Sequence, residues 1–322
     1  MLARYKSTIV QCILMMGILL SVLYLFQIDL FDINLNHSKH QSTDDTIGFV
    51  DLHVVTPDRL QCVETKLLLK KYRTIVCVHD VQKDTDVSGY ILSGGIWEEH
   101  LVTRIVRILS EHSQFAFFDI GANIGMYTMY AASVGCKNVI AIECFGPNIE
   151  RIRRAVQLRK VEEQVVIVPR ALYNKSNVYL SLRTNIVNNI GSQRLNAEVS
   201  RNDNDSLIVQ TIRFDDLLPL IKERNIQQAI IKIDIETSEH YLCETGARIF
   251  DEIDIPFVMM EWAVIKSIPA RANLIQKFFT DRLYIPINPN TCQPETNKDY
   301  GRWLAQDIFW IKKGYTHLCR MS

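Results

Sequence analysis

The chain has 322 residues, of which 48% are hydrophobic and 22% charged, and its formal net charge is zero. This length and composition predict a globular protein with one large domain plus extra segments, and they disfavour a disordered chain. No nucleic-acid partner is predicted, because binding to a phosphate backbone needs an excess of clustered Lys and Arg.

The first predicted element is a membrane anchor over residues 7–28, a run without a charged side chain. As a helix it would be about 33 Å long, enough to cross a hydrocarbon core of about 30 Å. Arg4 and Lys6 precede it, and Asp29 and Asp32 follow it, which predicts a cytosolic tail over residues 1–6. The alternatives are a buried core helix and a cleaved signal peptide. The length of the run and its end in bulky residues favour an uncleaved signal anchor.

The rest of the chain is then predicted to be lumenal, with a polar stem over residues 29–56 and a domain over residues 57–322. This describes a single-pass type II membrane protein of the Golgi or endoplasmic reticulum. Glycosylation sequons at Asn36, Asn174 and Asn204 all lie on the predicted lumenal side. One of the eight cysteines, Cys12, lies in the anchor, which leaves an odd number of lumenal cysteines whose pairing stays open.

The predicted lumenal domain alternates between helices and strands. Helical spacing of apolar residues predicts a helix over 60–72 and an amphipathic helix over 96–109, and a short strand is predicted between them over 74–78. A polar insert over 185–205 is predicted as a surface loop over the functional site. Further strands are predicted over 115–119, 138–143, 165–169, 178–182, 207–212, 229–234, 256–261 and 307–313, and further helices over 147–159, 215–223 and 270–282. Repeated strand–helix units predict a mostly parallel sheet with helices on both faces.

Four of the predicted strands end in an acid: Asp119, Glu143, Asp234 and Glu261. In an open α/β sheet the ligand lies at the carboxyl ends of the strands. Each acid alone could simply cap the helix that follows it. Four together favour a site, because acids are costly to bury without partners.

The first strand leads into a loop with the sequence Asp119-Ile-Gly-Ala-Asn-Ile-Gly125. Its spacing is not the G-x-G-x-x-G of dinucleotide-binding folds, and an acid at its start would repel a pyrophosphate. An NAD-dependent oxidoreductase is therefore disfavoured. A cationic ligand such as S-adenosylmethionine fits better, and Glu143 can accept hydrogen bonds from two ribose hydroxyls.

The order of DIGANIG, IECFGPN, PRAL, TIRFDDLL, IIKIDIETSE and MMEW resembles the FkbM-type methyltransferases, over about residues 89–313. The resemblance implies a class I methyltransferase fold, a doubly wound Rossmann-like sheet that is mostly parallel with an antiparallel last strand. It also implies S-adenosylmethionine as cofactor and O-methylation of a hydroxyl. Trp97 and Glu98 match an element beside the site. The cofactor-binding residues implied are Asp119, Gly121, Asn123, Gly125, Glu143, Asn148 and Ala171.

The fourth motif, matched at Asp234, Glu236, Ser238 and Glu239, implies the methyl-transfer end. Asp234 and Glu236 are the first candidates for the general base there, and His240 is the next. Two acids do not establish a metal site, so none is predicted. Cys144 replaces the family's usual Pro, and Thr237 its usual Gly. A β-branched residue rarely takes a positive φ, so a catalytically weak lumenal binding or scaffold protein is the alternative. The predicted acceptor is a glycan or another hydroxyl-bearing compound of the secretory pathway.

Overall fold

The computed structural model describes residues 47–56, 59–184, 190, 193–198, 207–297 and 299–320. The predicted anchor and the sequons at Asn36 and Asn204 lie outside these residues. Within the described ranges, no helix has both the length and the apolar character needed to cross a bilayer.

Strands and helices alternate along most of the described chain. The strands are β1 (Cys62–Glu64), β2 (Ile75–Cys77), β3 (Ala116–Ile120), β4 (Val139–Ile142), β5 (Val165–Val168), β6 (Ala171–Leu172), β7 (Tyr179–Thr184), β8 (Gln193–Glu198), β9 (Leu207–Ile212), β10 (Gln228–Ile233), β11 (Asp254–Glu261), β12 (Tyr284–Ile287) and β13 (Asp307–Lys312). The helices are α1 (Val87–Leu92), α2 (Glu99–Glu111), α3 (Met126–Val134), α4 (Gly146–Arg159), α5 (Leu218–Glu223), α6 (His240–Thr245), α7 (Ala247–Glu252) and α8 (Pro269–Asp281).

The main sheet has seven strands in the order β12-β13-β11-β10-β3-β4-β5. β5, β4, β3, β10 and β11 are parallel to one another. β13 is antiparallel to both β11 and β12. The prediction of a mostly parallel sheet with an antiparallel last strand is therefore confirmed. Strand order reverses between β3 and β10, which is where ligands bind in open α/β sheets.

Both faces of this sheet are covered, as its sequence predicts. Alternate residues of the fully buried strand β3 point to opposite faces, so Phe117 and Phe118 belong to two different apolar clusters. The cluster around Phe117 includes buried residues of α2, α3 and α4, and the cluster around Phe118 includes buried residues of α5 to α8. The near-continuous apolar runs of the central strands follow from this burial on both sides.

A smaller sheet, β6-β9-β7-β8, lies beyond β5 in the chain. β8 falls within the insert that the sequence predicts to be a loop, and it pairs antiparallel with β7. The described part of the insert is therefore a strand, a correction to that prediction. Its polar residues carry little of the periodicity by which strands are recognised.

The predicted helix over residues 60–72 is wrong. Those residues form β1 and a tight turn, and β1 pairs antiparallel with β2, placing Cys62 opposite Cys77. A disulfide joins these two cysteines. A second disulfide joins Cys292 to Cys319, and Cys136, Cys144 and Cys243 are free.

Strand β12 is absent from the predicted elements, although it forms an edge of the main sheet. It is short and contains Pro286, which cannot donate a backbone hydrogen bond and is tolerated at sheet edges.

The compact unit begins at Ile47, so residues 47–56 of the predicted stem pack on the domain. The Val50 amide donates to the Ile167 carbonyl at 3.0 Å, and Leu52 is buried.

Candidate functional site

The turn after β3 depends on a glycine. Gly121 has a φ of +76°, and a Cβ there would lie 1.9 Å from the carbonyl oxygen of Asp234. Only glycine lets the ends of β3 and β10 approach so closely. Gly121 and Asn123 line a cavity at the carboxyl edge of the sheet. Gly125, with a φ of +86°, does not line it; Gly125 lets the start of α3 approach Ile152 of α4.

Asp119 lies beneath this turn and does not line the cavity. Its side chain is fully buried, and its Oδ2 accepts hydrogen bonds from the Thr128 amide at 2.9 Å and the Thr128 hydroxyl at 2.6 Å. The structure therefore places Asp119 where it holds the first turn of α3 against β3. Burial raises the pKa of this carboxyl group.

Glu143 follows β4 and lines the same cavity. Its Oε2 accepts a hydrogen bond from the Asn123 amide at 2.8 Å, and its Oε1 accepts one from the Phe145 amide at 2.8 Å. These bonds fix both the carboxylate and the loop after β3. Burial raises the pKa of Glu143 to about 7, with the two amide bonds opposing the rise.

Apolar side chains surround Glu143 at this end of the cavity. Asn148 and Ala171, both predicted as cofactor contacts, line it. The Asn148 Oδ1 lies 2.7 Å from the Nε2 of the buried His79, a partner that no sequence motif indicated. The apolar lining includes Ile142, Phe145, Ala171, Leu172, Leu182 and Leu195. Leu195 comes from β8, so the insert does reach the site.

The other end of the cavity lies beyond β10 and is acidic. The predicted acids Asp234, Glu236 and Glu261 all line it. Glu98 and Asp307 line it as well, and the Glu98 Oε2 accepts a hydrogen bond from the Tyr127 hydroxyl at 2.7 Å. Burial and neighbouring carboxylates raise the pKa of Glu261 to about 9 and that of Asp307 to about 8.

Lys232 is a buried lysine that the sequence reading passed over. Its Nζ donates to the Gly121 carbonyl at 2.7 Å and lies 3.9 Å from the Asp119 carboxylate and 3.8 Å from that of Asp234. Burial acts to lower the pKa of Lys232, but these carboxylates outweigh it and raise the pKa. A lysine in the middle of a buried apolar strand was the available signal.

The turn after β10 keeps a left-handed conformation without glycine. Glu236 has a φ of +54° and Thr237 a φ of +77°. The Arg271 guanidinium donates to the Thr237 carbonyl at 2.6 Å and to its hydroxyl at 3.2 Å. The replacement of glycine by Thr237 therefore leaves this turn in the φ > 0 region, where Arg271 holds it.

The remaining predicted residues lie in different positions relative to the cavity. His240 is buried in α6, does not line the cavity, and its ring contacts that of Tyr241 with centroids 4.0 Å apart. Burial lowers the pKa of His240 to about 4. Cys144 lines the cavity next to Glu143, and burial raises the pKa of its thiol. Trp97 lines it from the opposite side.

No curated protein sequence matches the chain. Similar solved structures include a precorrin-6y C5,15-methyltransferase from Geobacter metallireducens (11% identity, 66% of this chain and 86% of that chain, TM-score 0.33). Others are an O-methyltransferase from Bacillus cereus in complex with SAH (9% identity, 66% and 80%, TM-score 0.37) and a SAM-dependent O-methyltransferase from Thermotoga maritima (8% identity, 83% and 96%, TM-score 0.32).

The family comparison covers most of the strands and turns that line the cavity. The profile of the Methyltransferase FkbM domain matches residues 119–282, just over half of the 322 residues. The matched segment runs from the end of β3 to the end of α8, and it contains Glu143, Asp234 and Glu236. This chain belongs to the FkbM methyltransferase domain family.

Proposed function

We propose that this protein binds S-adenosylmethionine in the cavity and transfers its methyl group to a hydroxyl group of the acceptor. The observation that carries the proposal is the division of the cavity into two chemically different ends. One end is apolar around Glu143, and the other is acidic around Asp234. S-adenosylmethionine has a matching division between an adenosine half and a cationic methionine half.

The Glu143 end fits an adenosine. Each carboxylate oxygen of Glu143 already accepts one backbone hydrogen bond. Each still has a second lone pair for one of the two vicinal ribose hydroxyls. The apolar side chains of Ala171, Leu182 and Leu195 border the same end, where a flat adenine ring can pack.

The acidic end fits an ammonium and a sulfonium and disfavours a pyrophosphate. Glu98, Asp234, Glu236, Glu261 and Asp307 line it. The loop after β3 also offers few free donors to a phosphate. The amides of Gly121 and Ala122 donate to the Ile142 carbonyl, that of Asn123 to Glu143 and that of Gly125 to Ala122. A dinucleotide needs such amides free to form its anion-binding nest.

When bound, the cofactor would supply an activated methyl group. Asp234 and Glu236 would orient the acceptor hydroxyl and accept its proton, because both line the acidic end and follow the strand next to the cofactor loop. General-base catalysis of this kind contributes roughly 10²–10⁴-fold to the rate. His240 is less suited, because it is buried away from the cavity.

A methyl-transfer assay tests this proposal. The full-length protein would be incubated with S-adenosylmethionine labelled in its methyl group and a panel of sugars, glycans and lipid-linked alcohols. We expect label in at least one hydroxyl compound, and we expect Asp234→Asn or Glu236→Gln to lower kcat by roughly 10²-fold or more, a larger effect than on the affinity for the cofactor. Cofactor binding without label transfer to any acceptor would favour the non-catalytic scaffold.

We also propose that the domain is lumenal, held by the signal anchor over residues 7–28 in the Golgi or endoplasmic reticulum. The two disulfides, Cys62–Cys77 and Cys292–Cys319, support an oxidising compartment. Asn174 is exposed, as a glycosylated asparagine must be. A glycan or another secretory-pathway alcohol is then the acceptor class.

Glycosidase treatment tests the location. Enzymatic removal of N-glycans should increase the gel mobility of the cell-expressed protein. Joint replacement of Asn36, Asn174 and Asn204 by Gln should abolish that shift. A wild-type protein whose mobility does not change would contradict lumenal exposure.

A further inference from the structure

Glu239 carries a buried carboxyl group that the proposed methyl transfer does not use. Its side chain is fully buried just before α6. Its Oε1 accepts a hydrogen bond from the Ile235 amide at 2.9 Å. Its Oε2 has no hydrogen-bond partner among the described residues. A buried carboxylate oxygen without a partner is costly, so its surroundings need a physical explanation.

Two other carboxylates converge on Glu239. One oxygen each from Asp234, Glu239 and Glu261 lie within 4.8 Å of one another. Lys232 forms an ion pair with Asp234, but within the described ranges no basic side chain does so with Glu239 or Glu261. Of the three carboxylates, only Asp234 therefore has a basic side chain beside it among the described residues.

We propose that Asp234, Glu239 and Glu261 bind a divalent cation that prefers oxygen ligands, such as Mg²⁺, Mn²⁺ or Ca²⁺. Metal–oxygen distances for Mg²⁺ and Ca²⁺ are about 2.1–2.4 Å, so oxygens on opposite sides of one ion lie about 4.2–4.8 Å apart. The three carboxylate oxygens lie no farther apart than this upper limit. Three carboxylates without nitrogen or sulfur ligands select hard cations over zinc or copper.

The position of the group connects it to the cavity. Asp234 and Glu261 line the cavity, whereas Glu239 lies behind them. A cation held by all three would therefore have protein on one side and the cavity on the other, where water or an acceptor oxygen can complete its coordination. From the sequence, only Asp234 and Glu236 could be considered as metal ligands. In the structure, the acids that converge with Asp234 are Glu239 and Glu261.

The consequence for catalysis rests on the proposed methyl transfer, but the binding site does not. A hydroxyl group bound to a divalent cation loses its proton more readily than a free one. The acceptor class would then be alcohols with a second oxygen close enough to share the ion, such as the vicinal hydroxyls of a sugar. This narrows the acceptors to be tried first.

Manganese binding to the purified full-length protein, followed by electron paramagnetic resonance of free Mn²⁺, tests the site. We expect one bound Mn²⁺ per chain in the wild type. In Glu239→Gln and Glu261→Gln the affinity for Mn²⁺ should be lower by roughly tenfold or more, since each variant loses one ligand charge. Glu98→Gln is the matched control, because it removes a partly buried acid of the same cavity that lies outside the group, and it should weaken Mn²⁺ binding far less than the two ligand variants do.

A second readout keeps the two proposals separable. Mn²⁺ should raise the unfolding temperature of the wild type and not that of Glu239→Gln, while S-adenosylhomocysteine should bind both proteins in the presence of EDTA. Absence of Mn²⁺ binding by the wild type, or equal Mn²⁺ affinity in the wild type and both Gln variants, would overturn the metal site. Loss of S-adenosylhomocysteine binding with Mn²⁺ binding retained would instead overturn the cofactor proposal.

Discussion

The turns that follow β3 and β10 lie side by side in the sheet, yet they reach similar backbone conformations by different means. The turn after β3 uses glycine where φ is most positive, at Gly121 and Gly125. The turn after β10 uses Glu236 and Thr237, with φ values of +54° and +77°. A non-glycine residue in this region costs about 1–2 kcal/mol. The first turn carries a small part of this cost at Asn123, with a φ of +52°, because asparagine tolerates this region better than most residues. The second turn carries the full cost at Glu236 and Thr237.

The difference separates the two halves of the proposed reaction. The first turn, held by Glu143, belongs to the cofactor end, and its sequence follows the family's first motif. The second turn, held by Arg271, belongs to the methyl-transfer end, where this chain departs from the family's glycine. Since strain persists where structure and function maintain it, the acceptor end is where this protein is expected to be specialised.

The largest expected effect comes from adding a side-chain atom where the two turns are in contact. Gly121→Ala would place a Cβ 1.9 Å from the Asp234 carbonyl, so we expect it to lower the free energy of unfolding by about 3 kcal/mol or more. Gly135→Ala is the matched control, because Gly135 has a φ of +91° with no atom within 4 Å of the added Cβ. It should cost about 1 kcal/mol. Equal losses in denaturant unfolding would contradict the close contact between the turns.

Removal of the residue that holds the second turn should have the next largest effect. Arg271→Ala leaves the Thr237 carbonyl without its charged donor, and we expect a loss of about 1.5 kcal/mol in unfolding free energy. Arg248→Ala removes an exposed arginine that pairs with Glu252 at 3.6 Å and should change stability by less than about 0.5 kcal/mol. If both variants unfold at the same denaturant concentration, Arg271 does not stabilise the turn.

The first turn should respond to pH through Glu143. Its pKa in the folded protein is about 7, above the ordinary 4.5, so the protonated form persists up to near-neutral pH. A protonated Glu143 loses acceptor capacity for the ribose hydroxyls, and affinity for S-adenosylhomocysteine should fall by up to about tenfold from pH 8 to pH 6. Stability should move oppositely: because burial favours the neutral form, the contribution of Glu143 declines as pH rises from about 4.5 to about 7.

Glu143→Gln is the control for this titration. It keeps the shape of the side chain but cannot ionise, so its weaker affinity for S-adenosylhomocysteine should change less between pH 6 and pH 8 than that of the wild type. Glu261 and Asp307, with pKa values of about 9 and about 8, titrate in both proteins. A variant that kept the pH dependence of the wild type would show that another group causes it.

The smallest expected effect concerns the strain itself. Thr237→Gly relieves the cost of a positive φ but gives the unfolded chain more freedom, so we expect a net gain of about 0.5 kcal/mol in stability. Thr237→Ala keeps the strain and loses the hydroxyl that Arg271 contacts, so it should be less stable than the wild type. Chemical denaturation of the three proteins ranks them, and a glycine variant less stable than the alanine variant would contradict the strain.

Much of the fold follows from the sequence, because the central strands are long apolar runs that end in acids. The disulfide-linked β1–β2 pair and the edge strand β12 do not follow, since residues 60–72 imitate helical spacing and Pro286 interrupts the strand pattern. At the site, Gly121, Asn123, Glu143, Asn148, Ala171, Asp234 and Glu236 all line one cavity.

Other site features depend on tertiary structure. The sequence does not tell that Asp119 faces Thr128 instead of the cavity, because a strand-end acid can turn to either side. His79 and Asp307 come from distant segments with no motif of their own, and the IIKIDIETSE motif that contains Lys232 does not show that this lysine contacts Asp119 and Asp234. The convergence of Glu239 with Glu261 depends on the pairing of β10 with β11 and on the turn between β10 and α6. The spacing of these residues in the sequence does not show either feature.

The cofactor assignment is most directly tested by calorimetry of the full-length protein with S-adenosylhomocysteine and, separately, with NAD. We expect one S-adenosylhomocysteine to bind per chain, with roughly tenfold or weaker binding in Glu143→Gln, and no heat of binding with NAD. Absence of S-adenosylhomocysteine binding, or binding of NAD that Glu143→Gln weakens, would contradict the assignment of this cavity to S-adenosylmethionine.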